Sequence, residues 1–142
     1  MANVHDVAAY ILKKTKVLTA MKLQKLVYYA QAWSLVWDEK PLFENRIEAW
    51  ANGPVTPDLY FAHQGEFTIT SEPNGNASAL TEDECETVDA VLRDYGSKSA
   101  TWLSALTHDE DPWLKAREGV PDGQRSNRQI TDAAMAEYYG NL

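Results

Sequence analysis

The chain has 142 residues, which predicts one domain over residues 1–142 that is large enough to bury a core without disulfide bonds. Its net charge of −8 disfavours direct binding to nucleic acid, because contacts to phosphate need clustered Lys and Arg, and it suits a basic protein partner better. A single cysteine, Cys85, excludes an internal disulfide, and the polar residues 1–6 are unlike a secretory leader. These features predict a soluble, cytoplasmic protein that does not associate with a membrane.

Two helices open the chain. The first runs from Asn3, its N-cap, to about Lys14 and is amphipathic. The second is apolar on nearly every face from Leu23 to Trp37, with Thr19 as its N-cap, and such a helix is typically buried. Its apolar run is shorter than the ~20 residues that a bilayer requires. The sequence therefore predicts a mainly α, compact bundle around a buried, aromatic-rich central helix.

A proline-rich corner follows farther along the chain. Pro54, together with the restriction it places on Gly53, excludes a helix at this point. Pro57 suits the first position of a new helix with Thr56 as its N-cap, so we expect a helix from about Pro57 to His63. Two interpretations stay open: the corner stiffens the chain, or it presents a fixed surface to a ligand.

Short segments with β propensity flank this corner. Residues 47–50 can form an extended strand, and residues 67–70 alternate in a way that predicts a small two-stranded β ribbon. Residues 71–79 are polar and predict a turn or a flexible loop.

Cap signals predict four further helices in the C-terminal half. They start at Thr81, with Glu84 completing a capping box, at Ser97, at Asp111, with Pro112 as first helical residue, and at Thr131. The first of them extends to about Tyr95, the second covers residues 99–106, and the last reaches about Tyr139. Residues 119–129 predict a loop.

Residue types with catalytic or metal-binding chemistry are scattered. His5, His63 and His108 lie far apart, and none has the i+4 partner of a metalloprotease helix. His108 stands beside the acidic residues 109–111, a cluster that could bind a cation, raise the pKa of the histidine, or only cap a turn. Cys85 has acidic neighbours, which disfavour a thiolate. The sequence therefore predicts no catalytic residue, no metal site, no cofactor and no enzyme activity.

The aromatic residues are candidates both for the core and for a partner surface. Tryptophan and tyrosine dominate interface hot spots, because they combine a large area with a polar tip. We expect partner contacts on the exposed side of the first helix, at the end of the central helix and in the proline-rich corner. The predicted partner-binding residues are Trp37, Trp50, Val55, Asp58 and Tyr60.

Several blocks of the sequence resemble the Panacea domain, the antitoxin domain shared with SocA-like proteins. In the family's order they are MKLQKL and YYAQAW within residues 21–33, PLF at 41–43, IEAW at 47–50, and GPV with a further proline at 53–57. LS, TH and DPW within residues 103–113, and IT with YY within 130–139, extend the resemblance over nearly the whole chain. The first block and GPV are its most specific parts.

The resemblance implies a small, mainly α-helical antitoxin that is encoded beside a toxin gene, in a prophage-associated or similar locus, and that binds its cognate toxin directly. A SocA-like subset of the family instead delivers its toxin to a ClpXP-type protease. Some members carry a fused DNA-binding domain, but this sequence ends soon after its last predicted helix, so we expect none. Direct neutralisation, proteolytic delivery and an enzyme activity are the hypotheses to compare.

Overall fold

A computed structural model of the chain describes residues 1–142, the whole sequence. The helices are α1 (Val4–Thr15), α2 (Ala20–Trp37), α3 (Pro57–Ala62), α4 (Glu82–Tyr95), α5 (Ala100–His108), α6 (Asp111–Ala116) and α7 (Asp132–Gly140). The strands are β1 (Leu18–Thr19), β2 (Ile47–Trp50), β3 (Gly53–Val55), β4 (Thr68–Ile69) and β5 (Gln129–Ile130), and a 3-10 helix covers Ala77–Ala79. None of the helices is both long and apolar enough to cross a membrane.

Helix α2 lies at the centre of the bundle. It packs mainly against α4 and α7 and also contacts α1, α3 and α5. The side chains from Leu23 to Ala32 are buried, because these helices surround the first three turns. The predicted mainly α bundle around a central apolar helix is thus confirmed. In the last turn Trp37 is exposed, at the point where α2 emerges from the bundle.

Buried hydroxyl groups join α2 to the C-terminal helices. The phenol of Tyr29 donates a hydrogen bond of 2.6 Å to Oε1 of Glu110, and the phenol of Tyr139 donates one of 2.8 Å to the same oxygen. The ring of Tyr29 also stacks on Tyr95 of α4, with 4.3 Å between the ring centroids. Burial raises the pKa of Glu110, and the two phenols oppose that rise by stabilising the carboxylate. The two hydrogen bonds thus join α2 and α7 through Glu110, and the stacked rings add α4.

Side-chain caps start most of the helices where the sequence predicts them. Asn3 and Thr81 each form a capping box, at the starts of α1 and α4. The hydroxyls of Thr19 and Thr131 accept backbone N–H bonds at the starts of α2 and α7. These short-range signals are confirmed because each needs only residues three positions apart.

Two predicted helix starts are wrong by one or two residues. Ser99 caps α5 in place of Ser97, because the turn that closes α4 continues for two more residues. Glu110 precedes α6, so Asp111 and Pro112 are both within the helix. The carboxylate of Glu110 does not cap this helix, since the buried phenols engage it.

Two small antiparallel sheets complete the fold. In the three-stranded sheet β2 lies between β3 and β5, with Ala49 opposite Pro54. The GPV segment, predicted as a turn, is therefore an edge strand, a position that tolerates proline. The two-stranded sheet pairs β1 with β4, with Leu18 opposite Ile69. The predicted ribbon is confirmed, and its other strand is the segment just before α2.

Candidate partner-binding groove

A groove of about 1070 Å³ opens on one side of the molecule. Its lining comes from the start of α2, from β2 and the turn after it, from α3 with the loop that follows, and from residues 125–127. We call it the aromatic groove, after the side chains Trp50, Tyr60, Phe61 and Phe67 that line it.

Several large apolar side chains in the lining of the groove are exposed to solvent. The rings of Trp50 and Tyr60 meet edge to face at 4.9 Å between centroids, and Phe61 continues the row at 5.4 Å from Tyr60. Phe67 is 80% exposed, Phe61 62% and Met21 41%. Contiguous exposed apolar area of this kind marks interaction sites in soluble proteins. The groove is therefore the strongest candidate for a partner surface.

Strand pairing brings the two halves of this apolar surface together. Five of the ten large apolar side chains that the chain exposes belong to two short segments, residues 17–21 and 60–67. The pairing of β1 with β4 and a 2.9 Å hydrogen bond from Ala20 N to Phe67 O join these segments side by side. The patch is thus a consequence of the two-stranded sheet.

Polar side chains of α2 hold the corner beneath the groove. The amide of Gln24 accepts from Thr56 N over 2.9 Å and donates to Thr56 O over 3.3 Å. Because Gln24 holds the backbone of Thr56, helix α3 begins at the predicted N-cap residue without a side-chain cap bond. The corner is therefore a rigid support for the groove, in agreement with the first of the two interpretations.

Gly53 allows the corner to lie directly on a buried lysine. Its φ of +125° favours glycine, and a Cβ at this position would lie 2.6 Å from Cε of Lys25. The Lys25 ammonium donates one long hydrogen bond, 3.4 Å, to Pro54 O. Burial lowers the pKa of Lys25 to about 8. Both the backbone conformation at Gly53 and the nearness of Lys25 therefore favour glycine at this position.

A histidine–glutamate–histidine cluster anchors the loop that carries Phe67. Glu72 is buried and accepts from His5 Nδ1 over 2.5 Å and from His63 Nε2 over 2.7 Å. The following turn is fixed to α1 as well, since Asn76 N donates to Asp6 Oδ1 over 2.8 Å. Residues 71–79 therefore form a turn that is tied to α1, the first of the two predicted alternatives. Sequence spacing separated the two histidines, and the fold brings them together.

Comparison with known proteins places the chain in a family. A family model described as "Antitoxin SocA-like, Panacea domain" matches residues 23–114. The chain belongs to this family. It is similar to Antitoxin SocA of Caulobacter vibrioides (strain NA1000 / CB15N), with 28% identity over 135 residues that cover 86% of this chain and 72% of that protein. No solved structure matches the chain.

In this Panacea-domain protein the motif residues serve mainly as the framework. Gln31 accepts from Leu42 N over 2.8 Å and donates to Phe43 O over 2.9 Å, so it holds the PLF block. Trp113 of the DPW block donates its indole N–H to Trp50 O over 2.8 Å. Through these contacts the YYAQAW block holds the PLF block, and the DPW block holds the IEAW block, by way of the backbone.

The structure corrects one interpretation of the acidic cluster around His108. The ring of His108 stacks on Trp113 with 4.1 Å between centroids, and burial lowers its pKa. A raised pKa, one of the three predicted alternatives, is therefore wrong. The cluster also does not form a cation site, because Glu110 points into the phenol network and no group of three or more His, Cys, Asp or Glu side chains in the chain could hold a metal ion.

The predicted partner-binding residues fall into two groups. Trp50, Val55 and Tyr60 line the aromatic groove, where Val55 is buried, Trp50 partly exposed and Tyr60 exposed. Trp37 lies outside the groove at the end of α2, where its ring stacks on Trp33 at 5.0 Å. Asp58 lies outside as well and accepts from Asn45 Nδ2 over 2.7 Å.

Sequence reasoning missed several groove residues. Met21, Phe61, Phe67 and Arg125 all line the groove and are exposed, and none was predicted to contact a partner. Phe67 carried a signal, since a large aromatic residue at the edge of a polar loop is rarely needed for the core. Arg125 carried none, because its place in the groove depends on the long-range pairing of β5 with β2.

Proposed function

We propose that the chain is an antitoxin that neutralises a protein toxin by direct, non-catalytic binding, and that the toxin docks in the aromatic groove. The observation that carries the proposal is the gathering of four exposed apolar side chains in one groove: Met21, Tyr60, Phe61 and Phe67. Family membership supports the antitoxin role, since the matched relative is named an antitoxin.

The chemistry of the groove supports binding better than catalysis. The polar side chains beneath it are engaged within the chain: Gln24 holds Thr56, and Glu48 accepts from Arg46 and from the Trp50 indole. An enzyme site instead requires a nucleophile or base that is free to reach a substrate. Aromatic side chains over a rigid support are the usual anchors of an interface.

The rigid support also favours a preformed surface. The loop between α3 and β4 is held at one end by His63 on Glu72 and at the other by the backbone bond to Ala20. A partner that meets such a surface does not need to order it, so less conformational entropy opposes binding.

Copurification tests the proposal. The untagged chain is expressed beside the tagged product of the adjacent gene, and the eluate is examined for a stoichiometric complex. We expect a complex, together with rescue of growth in cells that express the toxic neighbour. Absence of any complex or rescue with the neighbouring genes contradicts the proposal.

A pair of matched variants locates the interface. Phe67→Ser removes an 80% exposed groove ring, whereas Trp102→Ser removes a 46% exposed ring on α5, outside the groove. We expect Phe67→Ser to weaken the complex at least about tenfold and Trp102→Ser to change it less than about threefold. The reverse pattern would place the interface on α5.

Toxin half-life distinguishes occlusion from delivery to a ClpXP-type protease. If neutralisation is by occlusion, rescue occurs at unchanged toxin level, because binding alone blocks the toxin. A toxin half-life that shortens only when both this chain and the protease are present supports the adaptor alternative.

A further inference from the structure

The chain's five arginines differ in how they are used. Four are engaged by acceptors within the chain: Arg46 by Glu48 and Asn127 O, Arg93 by Asp94, Arg117 by Ala49 O and Gln124 O, and Arg128 by Glu118 O. The side chain of Arg125 is exposed, forms no hydrogen bond or ion pair within the chain, and lines the aromatic groove. It is the one free guanidinium of the molecule.

The backbone on both sides of Arg125 is fixed by other arginines. Arg117 Nη2 donates to Gln124 O over 2.7 Å, and Arg46 Nη2 donates to Asn127 O over 2.9 Å. One residue farther on, Arg128 O accepts from Ala49 N of β2 over 2.8 Å. Arg125 therefore extends from a segment of defined position.

The acidic residues of the groove do not neutralise Arg125. Both oxygens of Glu48 are in use: Oε2 accepts from Arg46 over 2.8 Å, and Oε1 accepts from the indole of Trp50 over 2.9 Å. Glu66, the other acidic residue in the lining, lies on the loop after α3 and forms no ion pair. A partner thus finds one unpaired positive charge in the same groove as the apolar row.

We propose that the groove receives a segment of the toxin in which an apolar side chain stands next to an aspartate or glutamate. The apolar side chain packs among Tyr60, Phe61 and Phe67, and the carboxylate pairs with Arg125. This inference rests on the proposed function and adds the chemistry of the partner segment.

Two physical arguments favour a carboxylate at this position. A guanidinium presents donors in a planar fork that matches the two oxygens of a carboxylate, and it is only weakly hydrated. The chain as a whole, with a net charge of −8, repels an acidic partner at long range. An acidic group on the toxin therefore binds favourably only beside an unpaired positive charge. Such a local charge match determines the orientation in which a partner binds and which partner binds.

Charge reversal tests the inference on the complex between the full chain and its toxin. Arg125→Glu is compared with Arg93→Glu, a matched charge change at an exposed residue of α4 outside the groove. We expect Arg125→Glu to raise the Kd at least about tenfold, and Arg93→Glu to change it less than about threefold. Both variants should unfold at the temperature of the unmodified chain, since both side chains are exposed.

A second-site change in the toxin identifies the partner group. Each aspartate and glutamate of the toxin is changed singly to lysine, and the variants are measured against Arg125→Glu. One lysine variant should restore binding to Arg125→Glu while it weakens binding to the unmodified chain.

The outcomes separate this inference from the proposed function. If Phe67→Ser weakens the complex and Arg125→Glu does not, the groove is an interface but the carboxylate match is wrong. Equal losses with Arg125→Glu and Arg93→Glu would show a long-range charge effect and also overturn the match. No complex with the unmodified chain would contradict the proposed function and, with it, this inference.

Discussion

The polar side chains of α2 and the side chains of the aromatic groove differ in whether they have interaction partners within the chain. Gln24 and Gln31 find their partners inside the chain and hold the backbone of other segments. Phe67 and Arg125 find none and face solvent. The difference separates residues that build the fold from residues that are available to a partner.

The sequence blocks of the Panacea family belong mostly to the first class. Gln24, Lys25 and Gln31 are buried in α2, and the GPV segment lies against Lys25. Phe61, Phe67 and Arg125 lie outside the blocks. The two sets overlap in part, because Met21, Trp50 and Val55 belong to the blocks and also line the groove.

Gly53→Ala should give the largest loss of stability, because it acts on the framework. It combines a strained φ of +125° with a Cβ that would lie 2.6 Å from Cε of the buried Lys25. We expect the free energy of unfolding to fall by about 3 to 5 kcal/mol in urea titration.

Gly65→Ala is the matched control for this change. Gly65 also has a positive φ, +90°, but no atom lies within 4 Å of the added Cβ. We expect a loss of only about 1 kcal/mol, since backbone strain acts alone. Equal losses at the two glycines would show that Lys25 moves aside and that the close contact is not what requires Gly53.

Trp33→Ala should give the next largest effect. The indole N–H of Trp33 donates to the Tyr95 hydroxyl over 3.0 Å, and its ring packs against Tyr139 at 5.7 Å between centroids. Removal of the ring should lower the free energy of unfolding by about 3 kcal/mol, measured by urea titration. A loss below about 1 kcal/mol would mean that Trp33 is not part of the structural core.

Lys25→Met tests how the buried amine of Lys25 affects the pH dependence of the free energy of unfolding. The pKa of Lys25 is about 8 when folded, against an ordinary 10.5, so the unfolded chain binds more protons between these values. The stability contributed by this residue is therefore lowest below pH 8 and rises with pH up to 10.5. From pH 7.5 to 9.5 the unmodified chain should gain about 2 kcal/mol relative to Lys25→Met.

The difference between the two chains isolates the lysine from other titrations. The buried tyrosines, whose pKa values burial raises, act in the opposite direction near pH 10, but both chains contain them. Methionine keeps the apolar stem that fills the space beneath Gly53. A difference in stability that is constant with pH would show that Lys25 remains protonated in the folded state.

The local parts of the fold could be predicted from the sequence. The caps at Asn3, Thr19, Thr81 and Thr131 depend on residues a few positions apart, and so does the apolar pattern of α2. Strand β1 was missed, because two residues carry no periodicity and the pairing of Leu18 with Ile69 spans the intervening helices. The ends of α2 at Trp37 and of α4 at Tyr95, by contrast, agree with the prediction.

The candidate site was predicted only in part, for the same reason. Trp50, Val55 and Tyr60 were found because they lie near the proline-rich corner, which is a local signal. Phe67 and Arg125 join them through β4 and β5, whose partners are distant in sequence. Burial also differs between neighbours in ways that composition does not reveal: Trp33 is partly buried, and Trp37, one turn later, is exposed.

Trp37→Ala and Asp58→Ala should have the smallest effects on stability. They test whether exposed residues outside the groove also contact the partner. Trp37 is 47% exposed, and the exposed Asp58 forms one hydrogen bond, to Asn45, so each change should cost less than about 1 kcal/mol. The sequence predicts that both contact the partner, and that prediction stands apart from the groove. If both variants fold normally and weaken the toxin complex as strongly as Phe67→Ser does, the interface extends beyond the groove. If only Phe67→Ser weakens the complex, the exposed ring of Trp37 is not part of the interface. Exposure of an aromatic side chain is then not sufficient to identify a partner contact. The neighbouring apolar surface that the groove supplies is needed as well.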